Sequence, residues 1–322
     1  MLCLLIQPIH PSGVAILVDA GLIVKQASAA TMDVVTREIE PAVAVITRNA
    51  GLNREAMQAA TNLKVLGNHG IGLDPVDVTY ATEIGLPIIY TPFANVQSVA
   101  EQAIAQMLAI AKRVRESDRA VREDRFDYRY TRDFHELSRK TLVVIGFGRI
   151  GRRTAEIASA AFGMRVIVYS PSVARAVVTE AGFECADDLD AVLPCADVVS
   201  LHQLLTPATR NSFDRKRLKL MKRGAMLVNT ARGAIVDTNA LIEAVESGHL
   251  SGAAMDVFDK EPLPPSHPYT RCDRVVLSPH IGGATEEALE RTAIETARQV
   301  VDVLQGRRPE WLVNTDVWDR RR

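Results

Sequence analysis

Three polar side chains sit just beyond apolar runs in the second half of the chain: Arg232 in "VNTARG", Glu261 in "DVFDKEP" and His280 in "VVLSPHIGG". Their chemistry is complementary. An imidazole titrates near neutrality and can give a proton to a carbonyl oxygen or take one from a hydroxyl. A carboxylate beside it orients the ring and stabilises its charged form. A guanidinium fork can hold a substrate carboxylate and polarise the neighbouring carbonyl, which lysine would do less well. Taken alone, a histidine beside an apolar run is more often a packed core residue than a metal ligand or a group that moves protons. An earlier stretch, "VVIGFGRIGRR", sets Gly146, Gly148 and Gly151 in GxGxxG spacing, directly after an apolar run and at the opening of a helical pattern. In that context one glycine permits a tight turn, one admits a pyrophosphate to the backbone, and one lets helix and strand touch. N–H groups near Arg149 and Ile150 would meet the phosphates at the helix N-terminus. A dinucleotide, a proton donor and an acid anchor together suit hydride transfer at a hydroxyl carbon.

Such residues need strands to carry them. From Thr141 six apolar runs recur: "TLVVI" (141–145), "RVIVY" (165–169), "DVVSL" (197–201), "MLVNT" (226–230), "AAMDVF" (253–258) and "RVVLSP" (274–279). Strands alternating with helical stretches imply a parallel sheet covered on both faces. Six of them predict a doubly wound sheet of order 3-2-1-4-5-6, with ligands beyond the C-terminal strand ends where the order reverses. The first three strands would hold the adenosine half of a dinucleotide. Arg232, Glu261 and His280 would follow the fourth, fifth and sixth strands, on the nicotinamide half. A shorter series comes first: "LCLLI" (2–6), "AVAVI" (42–46), "LKVL" (63–66) and "LPIIY" (86–90), with helical spacing in "LNREAMQAA".

Val99, Ala103, Met107, Ile110 and Val114 predict one long helix over 98–116. The stretch after it, "RESDRAVREDRFDYRYTRDFHELSRK", reads either as an irregular surface segment or as an arm that packs on a second subunit. A last amphipathic helix, "TEEALERTAIETARQVVDVLQG", closes at Gly306 and could return the chain to the first domain. The predicted architecture is α/β, with two doubly wound parallel-sheet domains. A Rossmann dinucleotide-binding domain of 100–284 is inserted in a flavodoxin-like substrate domain of 1–99 plus 285–322, and the active site is expected in the cleft between the two.

The 322 residues suffice for two cores, and 38 basic against 39 acidic side chains leave no field that would favour nucleic acid or an anionic membrane. A small-molecule partner is the default. Cysteines 3, 185, 195 and 272 show neither CxxC spacing nor a dense framework, which points to reduced thiols in the cytoplasm and to no metal site. The opening "MLCLLIQPIHPSG" lacks a basic first region and breaks at Pro8, so it reads as a buried strand rather than a signal or a membrane span. An NAD site usually has a carboxylate at the end of its second strand to accept from the ribose 2′-hydroxyl. Here "VIVYSPS" puts Ser170 there, which removes repulsion against a 2′-phosphate; Ser172 or Arg175 could contact one. NAD and NADP both stay open. His202 reads as a packed or hydrogen-bonded residue, Asp187 and Asp188 as a helix N-terminal charge pair, and Asp237 as a helix cap or the residue before one. Trp311 and Trp318 would pack the C-terminal segment on the first domain.

"GFGRIG", "VNTARGAIVD", "GAAMDVFDKEPLP" and "SPHIGGATEEA", in this order, resemble the D-isomer-specific 2-hydroxyacid dehydrogenase family, which includes glyoxylate and hydroxypyruvate reductases and phosphoglycerate dehydrogenases. The likeness runs from "AVITRNAGLNREAM" and "LKVLGNHGIGLDPVD" to "WLVNTDVW", nearly the whole chain. It implies an NAD(P)-dependent oxidoreductase acting on a small 2-oxo or 2-hydroxy acid, with Arg232, Glu261 and His280 as the catalytic trio. By the same resemblance Asp256 holds the nicotinamide carboxamide, Thr230 and Ala231 line the ring, and Thr209, Gly282 and Gly283 join the cofactor contacts. Backbone N–H groups of Ile71 and Gly72 would bind the substrate carboxylate, with Arg48 and His69 lining the pocket. A homodimer joined through the long helix and the arm is implied as well. Leu204 in "HQLLT", Asn68 and His69 in "NHGIG", and Phe93 in "TPFAN" depart from the commonest family pattern and bear on which acid fits. Rival readings are a phosphoglycerate dehydrogenase-like enzyme, another dehydrogenase or an NAD-retaining hydrolase on the same sheet, and a dinucleotide-sensing interaction protein without turnover.

Overall fold

The computed structural model describes residues 1–321, which divide into two compact units: Met1–Asn95 with the segment from Gly283 onward, and Val96–Gly282. The first unit has five strands: β1 (Leu2–Leu5), β2 (Ile23–Gln26), β3 (Ala42–Thr47), β4 (Val65–Asn68) and β5 (Ile88–Ile89). All pair in parallel, in the order β2-β1-β3-β4-β5. This is the flavodoxin-like winding. Successive side chains of a strand face opposite ways, so Cys3 and Leu5 join one core with Ile46, Ala297 and Val300, while Leu4 joins another with Val45, Leu66 and Met57. Burial on both faces explains the unbroken apolar runs. The edge strand β2, "IVKQ", is largely exposed and carries no such run, which is why its sequence gives no strand signal.

The second unit has seven strands: β6 (Thr141–Ile145), β7 (Arg165–Tyr169), β8 (Glu184–Ala186), β9 (Val198–Leu201), β10 (Met226–Asn229), β11 (Gly252–Met255) and β12 (Val275–Leu277). They pair in parallel in the order β12-β11-β10-β9-β6-β7-β8. Two doubly wound parallel sheets are therefore present, and the fold class read from the pattern holds. The count in the second sheet needs correction. Its third strand in chain order is β8, three residues at the edge, so "DVVSL" is the fourth strand and Arg232, Glu261 and His280 follow the fifth, sixth and seventh.

The single long helix expected over 98–116 is also corrected. A helix over Val96–Ala111 ends, Arg113 takes a left-handed φ of 49°, and a second helix runs over Val114–Arg122. Arg113 is 2% exposed. Its guanidinium pairs with Asp133 at 3.1 Å and donates to the Ser251 carbonyl at 2.7 Å, while Arg274 reaches the same Asp133 at 3.0 Å. This buried cation pins the arginine-rich segment to the sheet. Among the described residues no helix is long and apolar enough to cross a membrane. Trp318 is buried in the first unit, and Trp311 packs on Phe93 with ring centroids 5.1 Å apart.

Burial pushes the Asp133 carboxyl up, but hydrogen bonds and charge from Arg113, with the charge of Arg274, outweigh it and hold it below the usual range. Its contribution to stability is therefore present above the ordinary carboxylate range and fades as pH falls through the lowered value. Asp133→Ala should cost about 2–3 kcal/mol in urea unfolding at pH 7, because it leaves Arg113 buried without a counter-charge. The gap between variant and wild type should narrow in acid.

Candidate active site

The glycine loop follows β6. Gly146 has φ of 91°, and a Cβ there would lie 2.7 Å from the carbonyl of His202; a Cβ on Gly151 would lie 2.1 Å from the carbonyl oxygen of Gly146. Only glycine fits at either place. Gly148 differs, for a Cβ there would meet nothing within 4 Å. It is the N-cap of the helix Arg149–Phe162 and offers no side chain to the first N–H groups. The result is an open cradle of backbone donors with the positive end of a fourteen-residue helix behind it, which suits a pyrophosphate. His202 packs beneath the loop with Nε2 2.8 Å from Ser200 Oγ, and burial pushes its pKa down to about 4, so it is neutral at pH 7. Ser170, 8% exposed at the end of β7, accepts from the Phe147 N–H at 3.1 Å. Arg175, expected as a contact for a 2′-phosphate, instead pairs with Asp187 and donates to the Cys185 carbonyl at 3.2 Å. That also corrects Asp187, which is a partner of Arg175; Asp188 alone caps the following helix, and Asp237 caps its own helix as expected.

The three candidate residues Arg232, Glu261 and His280 follow the adjacent parallel strands β10, β11 and β12. The turn after β10 is organised by buried Asn229, whose Oδ1 accepts from the Ala231 N–H at 3.0 Å and whose Nδ2 donates to the Arg232 carbonyl at 2.9 Å. Arg232 is half-buried and donates to the Ala231 carbonyl at 2.7 Å. A Cβ on Gly233 would lie 2.1 Å from the carbonyl carbon of Phe258, so the Arg232 turn sits directly against the loop that carries Glu261. In that loop Glu261 Oε1 accepts from the Phe258 N–H at 2.9 Å, and Oε2 lies 2.8 Å from His280 Nδ1. The two side chains are 32% and 34% exposed, shielded yet reachable.

Burial pushes the Glu261 carboxyl up, but hydrogen bonds from His280 and the Phe258 N–H, with the charges of His280 and Arg232, hold it below the usual range. With Nδ1 committed to a carboxylate, Nε2 is the nitrogen left for proton transfer. His280 stands in the left-handed region at φ 54°. Its N–H donates to the Asp256 carbonyl at 2.8 Å, and the Asp256 carboxylate accepts from the N–H groups of Ile281 at 3.0 Å and Gly282 at 2.8 Å. Asp256 thus braces the histidine loop, a task the sequence did not assign to it. Asn229 was also missed, although a polar residue ending an otherwise apolar strand before "TARG" was a usable signal. Thr209 closes its own turn, its Oγ1 donating to the Leu204 carbonyl at 2.7 Å. Thr230 Oγ1 is buried with no hydrogen-bond partner among the described residues.

In the first unit, Asn68 ends β4 and donates through Nδ2 to the carbonyls of Gly70 and Gly72, each at 3.0 Å. The N–H groups of Ile71 and Gly72 have no protein partner among the described residues. His69 is 8% exposed; burial and the neighbouring Arg48 charge push its pKa down to about 4. Arg48 donates to the Pro8 carbonyl at 3.1 Å.

Residues 104–282 match the family model described as D-isomer specific 2-hydroxyacid dehydrogenase, NAD binding domain. A glyoxylate reductase of Thermofilum pendens is 40% identical over 83% of this chain and 79% of its own length. A D-3-phosphoglycerate dehydrogenase of Methanocaldococcus jannaschii is 37% identical over 97% of this chain, which spans 59% of that longer relative. The crystal structure of a D-lactate dehydrogenase from Aquifex aeolicus, complexed with NAD and lactic acid, superposes with a TM-score of 0.82 at 29% identity, covering 100% of this chain and 98% of that one.

The two glycines predict opposite outcomes. Gly148→Ala should unfold at the wild-type temperature yet bind NADH at least about tenfold more weakly by calorimetric titration, because its methyl enters the phosphate cradle. Gly146→Ala should lower the unfolding temperature, since a Cβ there is both strained and overlapped.

Proposed function

The chain belongs to the D-isomer-specific 2-hydroxyacid dehydrogenase family, and on that premise we propose that it interconverts a small 2-oxo acid and the D-2-hydroxy acid, with His280, Arg232 and Glu261 as the reacting trio. As a member it is an NAD-dependent oxidoreductase acting on CH–OH groups. Glyoxylate and hydroxypyruvate are the proposed substrates, the first supported by the name of the Thermofilum pendens relative. The observation that carries the reading is the 2.8 Å pairing of His280 with a carboxylate that also feels the charge of Arg232.

Bound at the glycine cradle, the dinucleotide would supply or accept the hydride at C2 of the acid. In reduction, His280 gives its Nε2 proton to the carbonyl oxygen as negative charge develops there. Glu261 keeps the imidazolium paired until that proton leaves, and its lowered carboxyl keeps the pair intact into mild acid. Arg232 takes the substrate carboxylate in two hydrogen bonds and draws electron density from the adjacent carbonyl. Asp256 Oδ2, with one protein donor, keeps an acceptor lone pair for the nicotinamide carboxamide. In the first unit the Ile71 and Gly72 N–H groups, with Arg48 and neutral His69, are assigned to the acid. NADH is the proposed cofactor and NADPH a tolerated one: Ser170 brings no charge, and Arg175 is engaged by Asp187. A homodimer through the helix Val96–Ala111 and the arm after it, and a cytoplasmic location consistent with four free cysteines, complete the reading.

The test is a panel of 2-oxo acids assayed with NADH and NADPH side by side by absorbance loss; no turnover with any acid would overturn the proposal. His280→Ala should lower turnover about a thousandfold or more while NADH still binds, since the acid and its charge are both lost. In Glu261→Gln the pH above which reduction fails should move lower, because the imidazolium loses its counter-charge. An unchanged profile would restrict Glu261 to shaping its loop.

A further inference from the structure

Behind the His280 loop lies a hydrogen-bond chain that the proton transfer does not itself use. Asp256 is 1% exposed, and among the described residues it makes no salt bridge. Its carboxylate is held by neutral donors: the N–H groups of Ile281 and Gly282, and the hydroxyl of Ser278. Ser278 Oγ accepts in turn from Gln102 Nε2 at 3.1 Å and Gln106 Nε2 at 2.9 Å. A hydroxyl has one proton and two lone pairs, so these three bonds fill it. With both lone pairs facing amide donors, the proton is directed at Asp256. The two glutamines stand four residues apart on the helix Val96–Ala111 and so share one face.

We infer that Ser278 is a positioning residue for proton transfer: filled by Gln102 and Gln106, it orients the Asp256 carboxylate, which holds the Ile281 and Gly282 N–H groups and so keeps His280 in its left-handed backbone. The inference rests on the reading of His280 as the acid. Pro279 lies between Ser278 and His280 and has no N–H to offer. The bracing of this turn therefore falls to the groups on either side of it. Losing the Ser278 hydroxyl leaves Asp256 Oδ1 with the Ile281 N–H alone and lets the carboxylate rotate. The loop then loosens and His280 shifts against Glu261.

Ser278→Ala is to be compared with Ser278→Thr, which keeps the hydroxyl, and Gln102→Met, which removes one donor from a partly exposed site. In the chain without cofactor, hydrogen exchange at the Ile281 and Gly282 amides should quicken about tenfold in Ser278→Ala and stay at the wild-type rate in Ser278→Thr. Turnover should fall about ten- to a hundredfold in Ser278→Ala with KM for the 2-oxo acid little changed, since small misplacements of a reacting group cost that much. The high-pH limit of reduction should move lower, as the imidazolium is less firmly paired, and Ser278→Thr should restore it. If Ser278→Ala fails to fold, Gln102→Met should show the same three changes at about a third to a tenth of their size. Wild-type turnover and pH profile in a folded Ser278→Ala overturn the inference, and so does slowed turnover without faster exchange at Ile281 and Gly282. Faster exchange in a chain whose wild type reduces no 2-oxo acid overturns the proposed reaction alone.

Discussion

Three consecutive N–H groups, those of His280, Ile281 and Gly282, all donate to one buried residue, Asp256, and the placement of the His280 side chain depends on that grip. A carboxylate removed from water needs compensation, and here it comes from aligned neutral dipoles. Those dipoles bend the backbone at His280 into a region that side chains other than glycine rarely adopt. The same device recurs one strand away. Asn229 ends β10 as Asp256 follows β11, and its amide closes the turn that presents Arg232. The Asp256 N–H donates to the Asn229 carbonyl at 3.0 Å, so the two organisers are joined through the sheet itself. Rigid parallel strands fix the spacing of the loops, and one polar residue at each strand end fixes the shape of the loop beyond it.

The parts of this arrangement that were legible in the sequence are those with strong local signatures. "GFGRIG" announces itself because overlap with His202 and Gly146 leaves glycine as the only residue that fits at two positions. Arg232, Glu261 and His280 stand out because charge follows directly on apolar strands. Two of the four edge strands were not legible: β2 and β8 are short and carry polar, exposed positions, so a search for apolar runs passes over them, whereas the apolar edges β5 and β12 were read. The break at Arg113 was hidden for a different reason. Its helical spacing continues through Val114, and only the distant Asp133, Ser251 and Arg274 reveal why an arginine is buried there. Asp187 and Arg175 likewise satisfy each other across twelve residues, a pairing that no periodicity encodes.

Electrostatics in the two units differ in kind. In the second, hydrogen bonds and charge from His280, with the charge of Arg232, hold the Glu261 carboxyl below the usual range against its burial. In the first, burial and the charge of Arg48 keep His69 neutral, so its loop offers hydrogen bonds and a single cation.

Arg232, Glu261 and His280, with Asn229, Asp256 and Ser278 behind them, all lie within Val96–Gly282. On the proposed assignment, a lineage can alter the loops of the other unit, and with them the preferred acid, while inheriting the reactive apparatus intact. Diversification of diet need not rebuild the engine.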